Sequence, residues 1–216
     1  MYLTKTPSFI QSLFPYLTWR LPSKHNILYL TFDDGPIPDI TEWVLDILHQ
    51  HQAKATFFCV GENVAKHPII FSRIMAEGHS VGNHTQHHIN GWQTSKNIYL
   101  DDVSQCARLI DSNLFRPPYG RMRPSQINFL KHHYQIVMWD ILTGDFDTTL
   151  DPDTCFQNII HNTKPGSILV FHDSLKAAPV LQKVLPKVLQ YYSGLGYTFE
   201  AISDTHNTKN ITKETV

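Results

Sequence analysis

The sequence has few cysteines, and they form no recognisable pattern. Cys59, Cys106 and Cys155 are widely spaced, odd in number and without a CxxC pair. Neither a disulfide framework nor a cysteine-based zinc site is indicated. This cysteine usage is typical of a protein in a reducing compartment.

The chain also lacks an excess of charge and a long apolar run. Its 18 Lys and Arg stand against 19 Asp and Glu, so no global field attracts nucleic acid or an anionic membrane, and no nucleic-acid partner is expected. No stretch is long enough to be a transmembrane segment. Pro7, Gln11, Ser12 and Pro15 interrupt the apolar N-terminal residues. Because a signal peptide needs a continuous apolar core, we expect a cytoplasmic protein.

A length of 216 residues fits one domain with a sizeable core. We therefore expect a single domain over residues 1–216, with an N-terminal extension at 1–24 and a polar tail at 204–216. No internal repeat or Gly/Ser linker divides it. The sequence does not indicate an oligomeric state.

Short β-rich runs alternate with amphipathic segments over nearly the whole chain. This repetition favours an α/β fold in which helices surround parallel strands, as an open sheet or as a closed barrel. The seven predicted strands favour the barrel. They are Ile27 to Phe32, Ala55 to Val60, Ser80 to Gly82, Phe115 to Arg116, Ile136 to Trp139, Ile168 to Phe171 and Tyr197 to Ala201.

Helix boundaries are marked by capping residues and prolines between these strands. Residues suited to helix starts or ends are Asp39 with Glu42 in a capping-box spacing, Pro68, Pro124 before residues 125–133, Pro152, Gly78 and Gly194.

Two adjacent carboxylates, Asp33 and Asp34, end the first predicted strand abruptly before Gly35 and Pro36. Neighbouring side chains point opposite ways in a strand, so the two can take different roles only if the backbone turns there. For these residues alone, a turn or a helix cap is the commoner explanation.

A histidine cluster follows the third predicted strand. His84 and His88 are spaced to face one metal from a single helical turn, and His84 with His87 is a geometric competitor. One carboxylate and two imidazoles suit Zn²⁺, and equally Co²⁺, Fe²⁺ or Ni²⁺, with positions left for water and substrate. A chance polar patch is the alternative, since the chain has 13 histidines.

Other titratable groups recur after later strands. Arg116 begins a stiff Arg-Pro-Pro-Tyr-Gly loop, Asp140 and Asp145 follow the fifth predicted strand, and His172 with Asp173 follows the sixth. Parallel α/β folds build active sites at the C-terminal ends of their strands. Surface charge scattered at random would not keep to that edge.

Together the five segments resemble the NodB-homology polysaccharide deacetylases, carbohydrate esterase family 4. They span residues 31 to 172 in the family's order. The resemblance implies a distorted (β/α) barrel that removes N-acetyl groups from sugars of a glycan. Thr31-Phe-Asp33-Asp34-Gly-Pro matches the first motif and His84-Thr-x-x-His88 the second, which implies Asp33 as catalytic base and Asp34, His84 and His88 as ligands of one divalent ion.

The remaining motifs imply the rest of the machinery. The Arg116-Pro-Pro-Tyr119-Gly motif implies that Arg116 orients the base and that the Tyr119 backbone N–H helps to form an oxyanion hole. Asp145 is implied to tune the catalytic histidine, and His172 in Val170-Phe-His172 to be the general acid.

The sequence departs from the family pattern at two places. Phe146 replaces the usual Trp, and Leu142 stands where an Asp is common. Both changes keep a hydrophobic pocket and bear on substrate preference. The glycan could be peptidoglycan, a chitin-like oligomer or a related polymer. An O-acetyl esterase of acetylated glycans and a non-catalytic glycan-binding protein are the alternatives.

Overall fold

A computed structural model describes residues 3–203, so the expected polar tail lies outside the described residues. Within this range, seven strands form one sheet in the order β5-β4-β3-β2-β1-β7-β6, and β8 pairs with β1 beside it. The strands are β1 Ile27–Asp33, β2 Ala55–Cys59, β3 Ser80–Asn83, β4 Leu114–Phe115, β5 Gln135–Ile136, β6 Ile141–Leu142, β7 Ile168–His172 and β8 Thr198–Phe199.

All paired strands are parallel, and the sheet curls into a distorted (β/α) barrel, so the predicted fold class is confirmed. Strand β1 lies between β2 and β7, and the register sets Asp33 beside Phe58 of β2 and beside His172 of β7. The C-terminal ends of successive strands therefore meet at one edge. Strand β7 is an Ile-Leu-Val-Phe run before its terminal His, and β2 carries two adjacent phenylalanines; both strands are buried along most of their length.

Helices cover the outside of the sheet. They are α1 Ser8–Leu13, α2 Ile40–Gln50, α3 Gly61–Lys66, α4 Pro68–Ala76, α5 Lys96–Ala107, α6 Pro124–Leu130, α7 Pro152–Asn162 and α8 Ala178–Gly194. The inner face of α2 carries Ile40, Val44, Leu45 and Leu48, all buried, at helical spacing. This apolar stripe fixes the helix that follows the Asp33-Asp34 turn.

The expected N-terminal extension packs along the seam of the barrel. Lys5 forms an antiparallel bridge with Ile141, and Thr18 forms a parallel bridge with Val137. These partners lie at or next to β6 and β5, the two ends of the sheet order. The extension thus bridges the place where the sheet itself does not close.

Several predicted boundaries need correction. Strand β6 and helices α1, α3 and α5 were not predicted. The strand predicted to run from Ile136 to Trp139 ends at Ile136. Strands β5 and β6 have only two residues each, too few to show an alternating pattern, which explains the two strand errors. Between residues 3 and 203, no helix is both long and apolar enough to cross a membrane.

Candidate active site

A cleft of about 580 Å³ opens at the C-terminal edge of the sheet. Six of the eight predicted site residues line it, and the other two, Arg116 and Asp145, are fully buried directly behind Asp33 and His172. The lining residues are Asp33, Asp34, His84, His88, Tyr119, Arg121, Trp139, Leu142, Phe146, Val170, His172, Ser174 and Lys176. The expectation that strand ends bring these groups together is therefore correct.

Asp33 is nearly buried and forms an ion pair with Arg116. Arg116 Nη1 donates to Asp33 Oδ1 at 2.7 Å, and the same nitrogen donates to Thr31 Oγ1 at 2.7 Å. The hydroxyl of Thr31 in turn donates to the carbonyl of Leu169 on β7. The Asp33 carboxylate thus has one fixed orientation in the cleft.

Arg116 itself is fully buried, and backbone carbonyls that follow β5 accept hydrogen bonds from its guanidinium. Its Nε and Nη2 donate to the carbonyls of Val137 and Met138, at 3.1 and 3.0 Å. The guanidinium carbon also lies 4.1 Å from the centre of the Phe58 ring. A buried charge needs such partners because desolvation costs several kcal/mol per ion. These contacts hold the guanidinium in place, and with it the Asp33 carboxylate.

Asp34, His84 and His88 form a compact donor cluster. Their candidate ligand atoms all lie within 4.8 Å of one another. Asp34 Oδ1 is 3.2 Å from His88 Nε2 and 4.0 Å from His84 Nε2. The expected helical turn is wrong, because the two histidines lie in a loop in which Thr85 and His88 have left-handed backbones (φ 64° and 54°). The loop, and not a helical spacing, turns both rings inward.

Hydrogen bonds and burial set the ring orientation and the protonation states that allow this cluster to bind a cation. The His84 ring donates from Nδ1 to the Arg116 carbonyl at 2.8 Å, which leaves Nε2 as the ligand atom. Burial lowers the pKa of His84 to about 4, although Asp33 opposes this, so the imidazole is neutral at neutral pH. Burial raises the pKa of Asp34, but the hydrogen bond from His88 and the neighbouring imidazoles hold it well below its usual range.

These three side chains fit one divalent ion of the zinc type. Two imidazoles and one carboxylate are a common catalytic zinc set that leaves coordination positions open. His87 does not join the cluster, since its Nδ1 pairs with Asp102 Oδ1 at 2.6 Å. The same Asp102 carboxylate accepts the backbone N–H groups of Gln86 and His87. It thereby shapes the loop that carries His84 and His88, a role that no sequence signal indicated.

His172 lies at the end of β7, and Asp145 holds it in place. Asp145 Oδ1 contacts the ring Nδ1 at 2.8 Å, which leaves Nε2 for the cleft, and Thr143 donates to the same carboxylate at 3.0 Å. Burial lowers the pKa of His172, but Asp145, with Asp34 and Asp33, raises it to about 9. The imidazole is therefore protonated at neutral pH and able to donate.

Apolar and aromatic side chains complete the walls. Leu142, Phe146 and Val170 line one part of the cleft, and the Phe146 ring meets the His172 ring edge-on at 5.1 Å. Tyr119 has a left-handed backbone (φ 60°), and its half-exposed ring contacts that of His88 at 4.7 Å. Both departures from the family pattern thus fall on the apolar wall.

Three neighbouring carboxylates lie outside the cleft lining. Asp140 is buried at the opposite end of the sheet, where it pairs with Arg20, so the prediction that it follows a strand end at the site is wrong. Asp147 accepts from Thr149 within a turn. Asp173 is fully buried directly behind the Asp33-Asp34 turn.

The chain resembles proteins of known activity. Residues 20–134 match the polysaccharide deacetylase family. A peptidoglycan-N-acetylglucosamine deacetylase of Bacillus cereus is 31% identical over 196 residues, which cover 88% of this chain and 92% of the relative. A chitooligosaccharide deacetylase of Azorhizobium caulinodans is 30% identical over 162 residues, with 71% and 77% covered.

The chain is also similar to a protein of solved structure. The crystal structure of a peptidoglycan N-acetylglucosamine deacetylase in complex with 4-naphthalen-1-yl-N-oxidanyl-benzamide is 31% identical, with a TM-score of 0.77. The match covers 91% of this chain and 95% of that one. The five motifs, the curled parallel sheet and these relatives agree, and the chain therefore belongs to the polysaccharide deacetylase family.

Proposed function

We propose that the protein is a metal-dependent hydrolase that removes N-acetyl groups from N-acetylated sugars of a glycan. One observation carries this proposal. A single cleft holds a carboxylate fixed by a buried arginine, an Asp-His-His donor cluster, and a protonated histidine held by a buried carboxylate. Amide hydrolysis needs a base, an electrophile for the carbonyl and an acid for the leaving amine, and the three groups supply them.

The residues have complementary roles in this reaction. A divalent ion bound by Asp34, His84 and His88 would polarise the acetyl carbonyl and lower the pKa of a bound water to roughly 7. Asp33 accepts the proton of the attacking water, and Arg116 keeps the Asp33 carboxylate directed into the cleft. The Tyr119 backbone N–H contributes to the oxyanion hole, in which one such donor is worth about 3 kcal/mol of barrier.

His172 completes the reaction at the leaving group. Its Nδ1 is engaged by Asp145, so Nε2 carries the proton that passes to the sugar nitrogen as the C–N bond breaks. Leu142, Phe146 and Val170 form the apolar wall against which the acetyl methyl group packs. The products are acetate and the free amino sugar.

The names of the relatives support a substrate class. Their names include peptidoglycan N-acetylglucosamine and chitooligosaccharide deacetylases, so we propose N-acetylglucosamine residues of such a glycan as the substrate. The metal is a zinc-type ion, with Co²⁺, Ni²⁺ or Fe²⁺ as alternatives that suit the same donors.

Acetate release from N-acetylglucosamine oligomers tests the proposal. The protein is stripped with a chelator and assayed before and after Zn²⁺ or Co²⁺ is returned. His84→Ala and His88→Ala should abolish the metal-restored release. His87→Ala is the matched control and should retain it, because His87 contacts Asp102 outside the donor cluster.

The same assay separates the alternatives. Release from O-acetylated glycans but not from amides would replace the proposal with an acetyl esterase. Tight metal binding without release from either substrate would favour a glycan-binding protein.

A further inference from the structure

Asp173 is fully buried, and its carboxylate ties the Asp33-Asp34 turn to the first turn of helix α2. Its Oδ1 accepts the backbone N–H of Gly35 at 3.1 Å, and its Oδ2 accepts the hydroxyl of Thr41 at 2.5 Å. A Cβ atom at Gly35 would overlap this carboxylate, so the two groups are as close as a glycine allows. The backbone N–H of Asp173 also donates to the carbonyl of Asp33 at 3.1 Å.

The hydrogen bond from Gly35 to Asp173 lies next to a residue with an unfavourable backbone conformation. Asp34 has a left-handed backbone (φ 87°), which a residue with a side chain keeps only when its surroundings enforce it. The Asp34 carbonyl accepts from Asn63 Nδ2 at 2.8 Å, and the Gly35 carbonyl accepts from the Val60 N–H at 3.0 Å. The Asp173 side chain adds the hydrogen bond that holds the Gly35 N–H, directly after Asp34.

Asp173 does not line the cleft and cannot reach the substrate. We propose that it is a positioning residue whose carboxylate locks the strained turn so that Asp34 faces His84 and His88 and Asp33 faces the cleft. The inference rests on the proposed function, because it assigns Asp173 an effect on metal binding. Residues behind metal ligands commonly act in this way, and their loss weakens metal binding or activity about 10- to 100-fold.

The chain contains a matched control at the other end of β7. Asp140 is equally buried, and it too accepts one hydroxyl and one backbone N–H, from Ser167 at 2.8 Å and Ile168 at 2.9 Å. It also pairs with Arg20. Its loss should therefore destabilise the fold about as much as that of Asp173, without touching the turn.

The experiment compares Asp173→Ala, Asp140→Ala and the wild type. Zinc affinity is measured by competition with a chromophoric chelator, kcat and KM by acetate release at saturating zinc, and Tm by calorimetry. We expect both variants to lower Tm comparably. Only Asp173→Ala should weaken zinc binding about 10- to 100-fold and reduce kcat, with KM little changed. Equal zinc affinities in the two variants would overturn the proposal.

Thr41→Val keeps the test decisive if Asp173→Ala does not fold. It removes the hydroxyl that anchors Asp173 Oδ2 and keeps the side-chain volume. A folded Thr41→Val with reduced zinc affinity supports the proposal, and one with unchanged affinity contradicts it. If the wild type binds zinc but releases no acetate, the proposed reaction fails while the zinc affinities still decide the role of Asp173. A wild-type protein that binds no metal would contradict both the proposed reaction and the proposed role of Asp173.

Discussion

The carboxylate of Asp145 holds His172 at two points. Its Oδ1 contacts the ring Nδ1 at 2.8 Å, and its Oδ2 accepts the backbone N–H of the same residue at 2.7 Å. One fully buried side chain therefore determines where the imidazole lies, which nitrogen faces the cleft and how strongly the ring holds its proton.

Asp145→Asn should make activity more sensitive to alkaline pH. A general acid works only while protonated, so activity falls as pH rises through its pKa. The carboxylate raises the pKa of His172 to about 9 against the opposite effect of burial. Without that charge the pKa falls, so the alkaline limb of the kcat profile should move to lower pH. At pH 8 we expect about a 100-fold loss of kcat, and a smaller loss at pH 6.

Asp147→Asn is the control for this profile, because it removes a nearby carboxylate that accepts from Thr149 in a turn. The alkaline limb of the kcat profile of Asp147→Asn should lie at the same pH as in the wild type. An unshifted limb in Asp145→Asn would show that His172 is not the acid observed in the assay.

Asp33→Asn and Asp34→Asn should separate catalysis from metal binding. Asp33 contacts Arg116, whereas Asp34 contacts the histidines. The Asp33 variant should lose about 10² to 10⁴ in kcat and bind zinc as tightly as the wild type. The Asp34 variant should lose zinc affinity. Acetate release and zinc titration measure the two effects. Unchanged turnover in Asp33→Asn would refute its role as base.

Arg116→Ala should destabilise the fold as well as the site. It would leave Asp33 buried without its cation, which costs about 3–5 kcal/mol. For a domain of this size, that corresponds to a Tm lowered by about 6–20 °C. Arg73→Ala is a contrasting control, since Arg73 forms ion pairs with Asp46 and Glu77 on the surface and should contribute no more than about 1 kcal/mol. Equal losses of stability in the two variants would show that the buried pair matters no more to folding than the surface pairs do.

Leu142→Ala should widen the acyl pocket. Leu142 lines the cleft with Phe146 and Val170, and one methylene in an apolar pocket is worth about 10- to 200-fold in discrimination. We expect the ratio of kcat/KM for N-propionyl over N-acetyl substrates to rise at least about 10-fold. Leu175→Ala is the control, because that side chain is 72% exposed and outside the lining. An unchanged ratio of the two kcat/KM values in Leu142→Ala would show that the acyl group does not pack against Leu142.

The sequence predicted the α/β barrel, the strand ends that carry the site and eight of the residues that the structure brings together there. It could do so because long apolar strands such as β1, β2 and β7 show their pattern in consecutive residues. The motifs at the ends of these strands are also contiguous in sequence. The roles of these residues and the cytoplasmic location stay predictions.

Tertiary structure alone decided which neighbours of the motifs matter. Asp140 and Asp173 both stand close to a predicted site residue in sequence, yet one lies at the far end of the sheet and the other behind the Asp33-Asp34 turn. The contacts of Asp102 with the loop that carries His84 and His88 could not be predicted from the sequence either. Each of these contacts joins residues 15 or more positions apart, and the parallel register and loop packing that bring them together have no local pattern in the sequence.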